Sequence, residues 1–358
     1  MRNAFVLCFL FACGSSSDEP APPASTAVTA DAAGAVAHGS AAPTRTTINP
    51  RLLRRFKPVR TEIAATSAAS PSAALVDLGR MLFFDKRLSK KQDLSCNSCH
   101  DLEHYGVDGQ ITSVGAEGKR GRRNSPTVYH AAGHIRSFWD GRAATIEDQA
   151  KMPITNPAEM AMPDGSAVVA ELEAVPGYLP LFQAAFPNVA KPITYDNVGA
   201  AIGAFERKLV TPSRWDRFLA GDRAALTARE VAGLQLFTDL GCITCHTGEF
   251  VGGSTFQKAG VVEDWPNQTD QGRFEVTHQP TDKMIFKVPS LRNIAKTAPY
   301  FHDGSAKTLS EAVTMMGQYQ LGETLGADDV AAIVAWLDAL TGELQETYIH
   351  APALPPDR

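Results

Sequence analysis

Two copies of a CxxCH motif constrain this chain more than any other feature of its sequence. They are Cys96-Asn97-Ser98-Cys99-His100 and Cys242-Ile243-Thr244-Cys245-His246. Two thiols separated by two residues can bond to the two vinyl groups on one porphyrin edge, and the adjacent histidine then lies beneath the iron. The spacing therefore predicts two covalently attached haem c groups, with His100 and His246 as the proximal iron ligands.

A single CxxCH motif could instead be half of a zinc site. The remaining cysteines, Cys8 and Cys13, lie in the first 13 residues, so every other cysteine belongs to one of the two motifs. No spare cysteine pair remains to complete such a site, and no thiol is left for a structural disulfide. The duplicated motif therefore favours haem over zinc.

The start of the chain predicts export. Residues 1–13 contain one basic residue and then a short apolar run, which is too short to span a bilayer as a helix. Leu10-Phe11-Ala12-Cys13 resembles a bacterial lipobox, so acylation would give a lipid anchor at Cys13; the alternative is a plain cleaved signal. We expect a periplasmic protein, membrane-anchored if Cys13 is acylated.

Composition separates a tether from the folded part of the chain. Residues 14–65 are expected to be a disordered tether and an N-terminal extension, because Ala, Pro, Ser and Thr dominate up to about Thr47 without a hydrophobic period. Beyond it, 51–57 is a basic amphipathic run that we interpret as a solvated charged helix. The 358 residues carry 34 Lys and Arg against 39 Asp and Glu, which gives no electrostatic reason to expect a nucleic acid partner.

The surroundings of the two motifs also repeat. Gly79-Arg80-Met81-Leu82-Phe83 precedes the first motif, and Gly233-Leu234-Gln235-Leu236-Phe237 precedes the second. Leu75, Leu78 and Leu82 recur at helical spacing, and Thr227-Ala228-Arg229-Glu230 resembles a capping box. An amphipathic helix is therefore predicted before each motif.

A second helix is predicted at the end of each repeat. Apolar residues fall on one helical face in both places, namely Val198, Ile202, Phe205 and Leu209, and Val330, Ile333, Leu337 and Leu340. We therefore predict a mainly α fold of two cytochrome c-like helical domains, at 66–212 and 213–350, each with one covalent haem. The segment 213–225 is interpreted as a short connection between them.

The sixth iron ligand should distinguish the two haems. Met315 and Met316 follow the second motif, and a thioether from one of them would close that iron and raise its potential. In the first domain no methionine stands in a comparable place, and the glycine-rich basic loop 107–127 suits a mobile cover. This iron is the candidate open site, although His104, His130 and His134 are rival ligands.

Four further motifs stand in order around the two haem motifs: Arg123-Asn124-Ser125-Pro126-Thr127, Phe138-Trp139-Asp140-Gly141-Arg142, Lys287-Val288-Pro289-Ser290-Leu291-Arg292-Asn293 and Pro299-Tyr300-Phe301-His302-Asp303-Gly304. Together they resemble the bacterial diheme cytochrome c peroxidase family over nearly the whole chain, from about Pro71 to Leu344. The resemblance implies reduction of hydrogen peroxide at the N-terminal haem. A small cytochrome c or cupredoxin would supply electrons through the C-terminal haem.

The same resemblance implies roles for single residues. Met316 is the sixth ligand of the C-terminal haem, and Trp139 lies between the haems. Glu159 is the distal acid–base residue with Gln149 beside it, since a carboxylate there can move a proton between the two peroxide oxygens. A calcium ion between the domains would be held by three residues: Asn124, Thr297 and Pro299.

One departure from the family pattern affects activation. Many members carry a histidine that blocks the peroxidatic iron until the other haem is reduced, and Ala116 stands at that position. We expect a high-spin first haem that needs no reductive activation. The related diheme enzymes that oxidise tryptophans of a partner protein also lack this histidine, but they have a tyrosine where this chain has Met316. A non-enzymatic diheme electron carrier is the third alternative, and a homodimer is left open.

Overall fold

The computed structural model describes residues 48–63 and 70–357. Residues 1–13, with Cys13, and the tether up to residue 47 lie outside these ranges, so the predictions for them stay predictions. Within the described residues the fold is mainly helical with little sheet, as predicted. These ranges contain no helix with the length and apolar character needed to cross a membrane.

The helices follow one another along the chain with one small sheet between them. The α-helices are α1 Pro50–Leu53, α2 Ala73–Phe84, α3 Ile146–Thr155, α4 Gly165–Glu173, α5 Tyr178–Ala185, α6 Tyr195–Glu206, α7 Arg214–Leu219, α8 Ala228–Asp239, α9 Phe274–Thr277, α10 Leu309–Met315, α11 Ala327–Asp338 and α12 Glu346–Ile349. A π-helix, Met316–Leu321, continues α10. Strands β1 Phe256–Lys258 and β2 Ile285–Lys287 pair antiparallel, with Gln257 opposite Phe286.

Short 3₁₀ turns lie between these elements. Their bounds are Lys86–Leu88, Cys96–Ser98, Leu102–His104, Ala116–Gly118, Ala131–Gly133, Arg223–Ala225, Cys242–Thr244, Pro280–Asp282 and Ile294–Lys296. Two of them begin at the first cysteine of a CxxCH motif, so each motif starts with a turn of the same type.

Helices α2 and α6 cross closely in the first half of the chain. Gly79 permits the crossing, because a Cβ atom there would lie 1.8 Å from the carbonyl oxygen of Ala201. The apolar faces predicted from the sequence are buried at this contact, as shown by Leu82 and Phe205, which are both inaccessible to solvent. The two helices therefore form the centre of one hydrophobic cluster.

Helices α8 and α11 repeat this arrangement in the second half. A Cβ atom at Gly233 would lie 1.9 Å from the carbonyl oxygen of Ala332, so glycine again permits the close approach. Leu234 and Trp336 are fully buried in the second hydrophobic cluster. In each half of the chain, therefore, one helix before the CxxCH motif crosses one helix after it, and a glycine permits the crossing.

The ends of these helices lie within a few residues of the positions predicted from the sequence. The capping box of α8 is present, with the Glu230 carboxylate accepting a hydrogen bond of 2.7 Å from the backbone of Thr227. Helices α6 and α11 end before Leu209 and Leu340, yet both leucines are buried. The apolar period therefore marks the buried face correctly but extends past the last helical turn.

The segment 213–225 is more than the short connection predicted from its sequence. It contains α7, whose Trp215 is fully buried and packs edge-on against Trp336 with 5.6 Å between ring centroids. The Phe56 ring packs against the Trp215 indole, with 5.3 Å between the ring centroids. Because Phe56 is buried, the run 51–57 is not a solvated helix: α1 ends at Leu53, and the chain then enters the core.

Candidate haem-binding cavity and active site

The two CxxCH motifs have the same backbone geometry. In each, the histidine amide donates a 3.0 Å hydrogen bond to the carbonyl of the first cysteine, from His100 to Cys96 and from His246 to Cys242. The tight turn places both cysteines and the histidine on one side of the chain. All four motif cysteines have free thiols, as covalent haem attachment requires.

Both motif histidines have the surroundings of a proximal ligand. His100 Nδ1 lies 3.3 Å from the carbonyl oxygen of Gly106, and His246 Nδ1 lies 3.3 Å from that of Val251. A ligating histidine usually donates its second ring N–H to such an oxygen, which leaves Nε2 for the metal. Burial lowers the pKa of His100 and lowers that of His246 to about 4, so both rings stay neutral, as metal ligation needs.

A cavity of about 580 Å³ opens beside the first motif. Its volume falls within the range of cofactor and ligand pockets. The three residues of the motif line it together with Gln149, Trp139 and Glu159, so the structure brings the predicted catalytic residues to one cavity. The size of the cavity, the free thiols and the neutral histidine fit a covalently attached haem.

Glu159 is held at this cavity by its backbone and its side chain. The Asn156 amide donates a 2.9 Å hydrogen bond to Glu159 Oε1, and the Glu159 N–H donates to the Asn156 carbonyl at 3.0 Å. The Asn156 side chain also accepts from the amide of Ala158, which closes the turn after α3. The carboxyl group is therefore presented to the cavity from a fixed turn.

Burial governs the protonation of Glu159. Desolvation raises the pKa of its carboxyl above the ordinary value, while the positive charge of Arg142 and the Asn156 hydrogen bond oppose that rise. Arg142 is itself fixed, since its guanidinium stacks 3.5 Å from the centroid of Phe138 and bonds to Asp140 at 2.9 Å. A carboxyl with a raised pKa in a cavity is typical of a proton-transfer residue.

The loop that carries Ala116 packs against the same turn. The Ala116 amide donates a 2.7 Å hydrogen bond to the carbonyl of Glu159. The approach is close enough that a Cβ atom at Gly115 would lie 2.0 Å from the Ala158 carbonyl oxygen. This part of the loop 107–127, predicted as a mobile cover, is thus tied to Glu159 by its backbone.

Trp139 connects the cavity to the surroundings of Met316. It lines the cavity, and it also packs against a buried cluster formed by Trp265, Met284 and Phe286. Met316 packs against the same cluster and begins the π-helix. Met315, the last residue of α10, packs against this cluster as well, so these contacts do not distinguish the two methionines.

The three residues assigned to calcium lie on two segments that touch. The backbone N–H of Asn124 donates a 2.8 Å hydrogen bond to the carbonyl of His302, in the loop that follows Thr297 and Pro299. The Asn124 amide nitrogen donates to the carbonyl of Gln110 at 3.0 Å. The Asn124 Oδ1 atom has no hydrogen bond within the described residues, and it is the atom that an oxygen-liganded cation would use.

The three rival histidines lie in different environments. His104 is exposed and pairs with Asp101 at 2.7 Å. His130 is fully buried, with Nε2 2.9 Å from the hydroxyl of Thr211. Of the three, only His134 lines the cavity.

Other cavity residues have no role predicted from the sequence. Arg142 belongs to a motif that marked the family, but its position beside Glu159 depends on folding. Glu206 lines the cavity, and burial raises the pKa of its carboxyl to about 8. Its sequence carries a signal, because a charged residue four positions after Ile202 falls on the predicted buried face of α6. Lys287 also lines the cavity; it begins one of the four motifs that mark the family, but the motif assigns it no role.

Comparison with known proteins gives a consistent result. The sequence model of the family described as di-haem cytochrome c peroxidase matches residues 73–224. The chain is 43% identical over 299 residues to a cytochrome c551 peroxidase of Nitrosomonas europaea, covering 82% of this chain and 87% of that protein. It is 42% identical over 306 residues to a cytochrome c551 peroxidase of Pseudomonas aeruginosa, covering 84% and 87%.

Similarity extends to a second group of proteins. The methylamine utilization protein MauG of Methylorubrum extorquens is 39% identical over 240 residues, which cover 66% of this chain and 67% of that protein. The crystal structure of a MauG-like protein associated with microbial copper homeostasis superposes with a TM-score of 0.71 at 31% identity, covering 84% of this chain and 96% of that one.

Proposed function

Because this chain belongs to the di-haem cytochrome c peroxidase family, we propose that it reduces hydrogen peroxide to water with electrons from a small cytochrome c or cupredoxin. One observation carries the proposal: the half-buried Glu159 carboxyl lines the same cavity as the first CxxCH motif. Relatives named as peroxidases, at 42% and 43% identity over most of the chain, support it.

Two covalent haem c groups complete the site in this proposal. Cys96 and Cys99 would attach the first, and His100 would bind its iron. Cys242 and Cys245 would attach the second, and His246 and Met316 would bind its iron. The repeated crossing of α2 with α6 and of α8 with α11 supports two cytochrome c-like domains, 66–212 and 213–350, with one haem in each.

The residues of the cavity supply the proton transfer. A bound haem would offer an iron that exchanges electrons and accepts an oxygen ligand. Glu159 takes a proton from one peroxide oxygen and gives it to the departing one, which requires a carboxyl that can change state near the working pH. Burial supports this role, since it moves the pKa of Glu159 towards neutrality. Gln149 orients the peroxide with its amide.

Trp139 and Met316 define the path for electrons. A thioether ligand closes the second site to peroxide, so that site can only transfer electrons. Trp139 lines the first cavity and contacts the cluster that Met316 also contacts, which supports a route through the indole. We assign Trp139 to electron transfer between the two centres.

Calcium is part of the same proposal. Asn124 through its side chain, and Thr297 and Pro299 through backbone carbonyls, would hold one Ca²⁺ ion by oxygen ligands. The free Oδ1 atom of Asn124 supports this assignment. Removal of calcium with a chelator should lower peroxide turnover and should be reversed by added Ca²⁺, but not by Mg²⁺.

A steady-state assay tests the proposed activity. Purified protein with both haems attached should consume hydrogen peroxide and oxidise a reduced small cytochrome c or cupredoxin, two electrons for each peroxide. Turnover should require both hydrogen peroxide and the reduced donor protein. No donor oxidation with any reduced small redox protein, from fully haem-loaded material, would overturn the proposal.

Oxidation of tryptophans on a partner protein is the second candidate function. It is favoured by Ala116, which leaves no side chain to block the first iron, and by the similarity to MauG. Met316 opposes it, because the related enzymes carry tyrosine there. Formation of a quinone on a partner protein in the presence of peroxide, without turnover of a reduced cytochrome, would identify this activity instead.

The cellular location follows from the first segment of the chain. We assign the protein to the periplasm, tethered to a membrane if Cys13 is acylated. Metabolic labelling with a radioactive fatty acid, comparing the native chain with Cys13→Ala, tests the anchor. Sedimentation of the purified folded part tests whether it forms a homodimer.

A further inference from the structure

Lys287 is a buried cation without a counter-charge. It ends strand β2, is only 8% exposed, and lines the cavity beside the first motif. Its ammonium forms no ion pair with any carboxylate in the part of the chain that the structure describes. Burying an ammonium that no carboxylate compensates is unfavourable, and burial accordingly lowers the pKa of Lys287 to about 8. The described residues therefore supply no anion at this point.

His134 adds a second donor beside the lysine. Lys287 Nζ lies 3.1 Å from His134 Nδ1, and since an ammonium can only donate, the histidine must carry its proton on Nε2. That Nε2 atom is buried and has no hydrogen-bond partner among residues 48–63 and 70–357. The Nε2–H group of His134 and the N–H groups of Lys287 that do not point at His134 are thus left without an acceptor in these ranges.

Backbone and ring contacts hold the two residues in position. The amide of Lys287 donates a 2.7 Å hydrogen bond to the carbonyl of Trp139, which fixes the end of β2. The His134 ring packs at 5.7 Å against Phe250, and a Cβ atom at Gly253 would lie 2.4 Å from its Cδ2 atom. Lys287 and His134 therefore place their donor groups side by side at the wall of the cavity.

We infer that Lys287 and His134 form a carboxylate-binding site that holds a propionate side chain of a bound haem. The inference rests on the proposed di-haem function, because haem c brings carboxylates into this cavity. Four acids of the protein line the cavity, and none of them forms an ion pair with Lys287. Asp140 and Glu275 pair with arginines, Glu159 bonds to Asn156, and Glu206 has no contact with Lys287 in the structure. A propionate would satisfy both donors and neutralise the lysine.

The site would also tune electron transfer. Lys287 is bonded through its backbone to Trp139, so the bound carboxylate lies beside the proposed electron route. A fixed positive charge next to a haem favours its reduced state, since reduction adds negative charge. Lys287 is thus a positioning residue for the cofactor and raises the reduction potential of the haem it holds.

Substitution of Lys287 tests this inference. We expect Lys287→Met to retain both haems by pyridine haemochrome assay, to lower the midpoint potential of one haem in spectroelectrochemistry, and to shift a propionate bending band in resonance Raman spectra. Lys287→Arg, which keeps the charge, should restore most of the potential. Lys258→Met is the matched control, because Lys258 lies exposed on the paired strand β1 and should leave both readouts unchanged. Unchanged potentials and propionate bands in Lys287→Met would overturn the inference.

A measurement on the native protein covers the case in which Lys287→Met does not mature. Haem labelled with ¹³C at the propionate carboxyls should show, by infrared difference spectroscopy, one carboxylate that stays ionised while exposed carboxylates titrate. Titration of every propionate like a water-exposed acid would contradict the site. Native protein with both haems but no peroxide turnover would refute the proposed function while leaving this test intact.

Discussion

The indole Nε1 of Trp139 donates a 2.9 Å hydrogen bond to the backbone carbonyl of Asn124. The backbone N–H of Asn124 in turn donates a hydrogen bond to the backbone carbonyl of His302. The side chain proposed to carry electrons is therefore fixed by the segment proposed to bind calcium. A change in the segment around Asn124 should therefore affect both electron transfer and calcium binding.

Trp139→Phe should slow electron transfer between the two haems. Phenylalanine keeps an aromatic ring but loses the N–H donor, so the ring is released from Asn124 and the indole is lost from the route. Haem content and both optical spectra should be unchanged, while the intramolecular rate measured by flash photolysis falls several-fold. Trp215→Phe is the control, since Trp215 packs in the second hydrophobic cluster and neither lines the cavity nor belongs to the cluster that Trp139 and Met316 share. Equal rates in Trp139→Phe and the native protein would refute the route.

Asn156→Ala should move the acidic limb of the pH–rate profile to higher pH. Asn156 donates to the Glu159 carboxylate and so opposes the rise that burial imposes on its pKa. Glu159 acts first as a base, which means that activity is lost as the pH falls through its pKa. Loss of a hydrogen bond to a charged group should therefore shift the limb of kcat/KM upward by about one pH unit. An unshifted limb would argue against Glu159 as the titrating group, and the exposed Asn267 provides the control Asn267→Ala.

Asp216→Ala should destabilise the fold strongly. Arg292 is almost completely buried and bonds to Asp216 at 2.6 Å, and the same carboxylate accepts the amide of Val59 at 2.7 Å. Removing one partner of a buried ion pair leaves an uncompensated charge and costs about 3–5 kcal/mol. The free energy of unfolding, from denaturant titration followed by circular dichroism, measures this loss. Asp264→Ala, which breaks an exposed pair with Lys258, should cost less than about 1 kcal/mol.

Ala116 predicts the spin state of the first haem. The side chain at this position has no ligand atom, and its amide is bonded to the Glu159 carbonyl, so we expect a high-spin ferric signal in the electron paramagnetic resonance spectrum as isolated. Ala116→His should convert that signal to low-spin and make peroxide turnover depend on prior reduction. Two low-spin ferric haems in the native protein would contradict the expectation.

The helices and the cofactor motifs were predictable because their signals are local. The capping box at Thr227 and the apolar period through Val198 and Ile202 each lie within one or two turns of helix, and both were confirmed. Helix α7 was missed because six residues are too few to show a period, and the burial of its Trp215 involves the distant residues Phe56 and Trp336.

The cavity could be predicted only in part. Glu159 and Gln149 were assigned through the family resemblance, and the structure places both at the cavity, although their catalytic roles stay predictions. The pair of Lys287 with His134 joins residues 153 positions apart, so no pattern within either segment could indicate it. Contacts of this kind form only when distant helices and strands pack together. Periodicity within one segment does not predict that packing.

Peroxide turnover of Glu159→Gln tests the account most directly. The amide is nearly isosteric but cannot exchange a proton, so kcat should fall by about 10²- to 10⁴-fold while haem content and both haem spectra stay native. Glu103→Gln, at an exposed carboxylate, should keep full activity. Unchanged turnover in Glu159→Gln, with both haems attached, would contradict the proposed role of this carboxyl and the active site built around it.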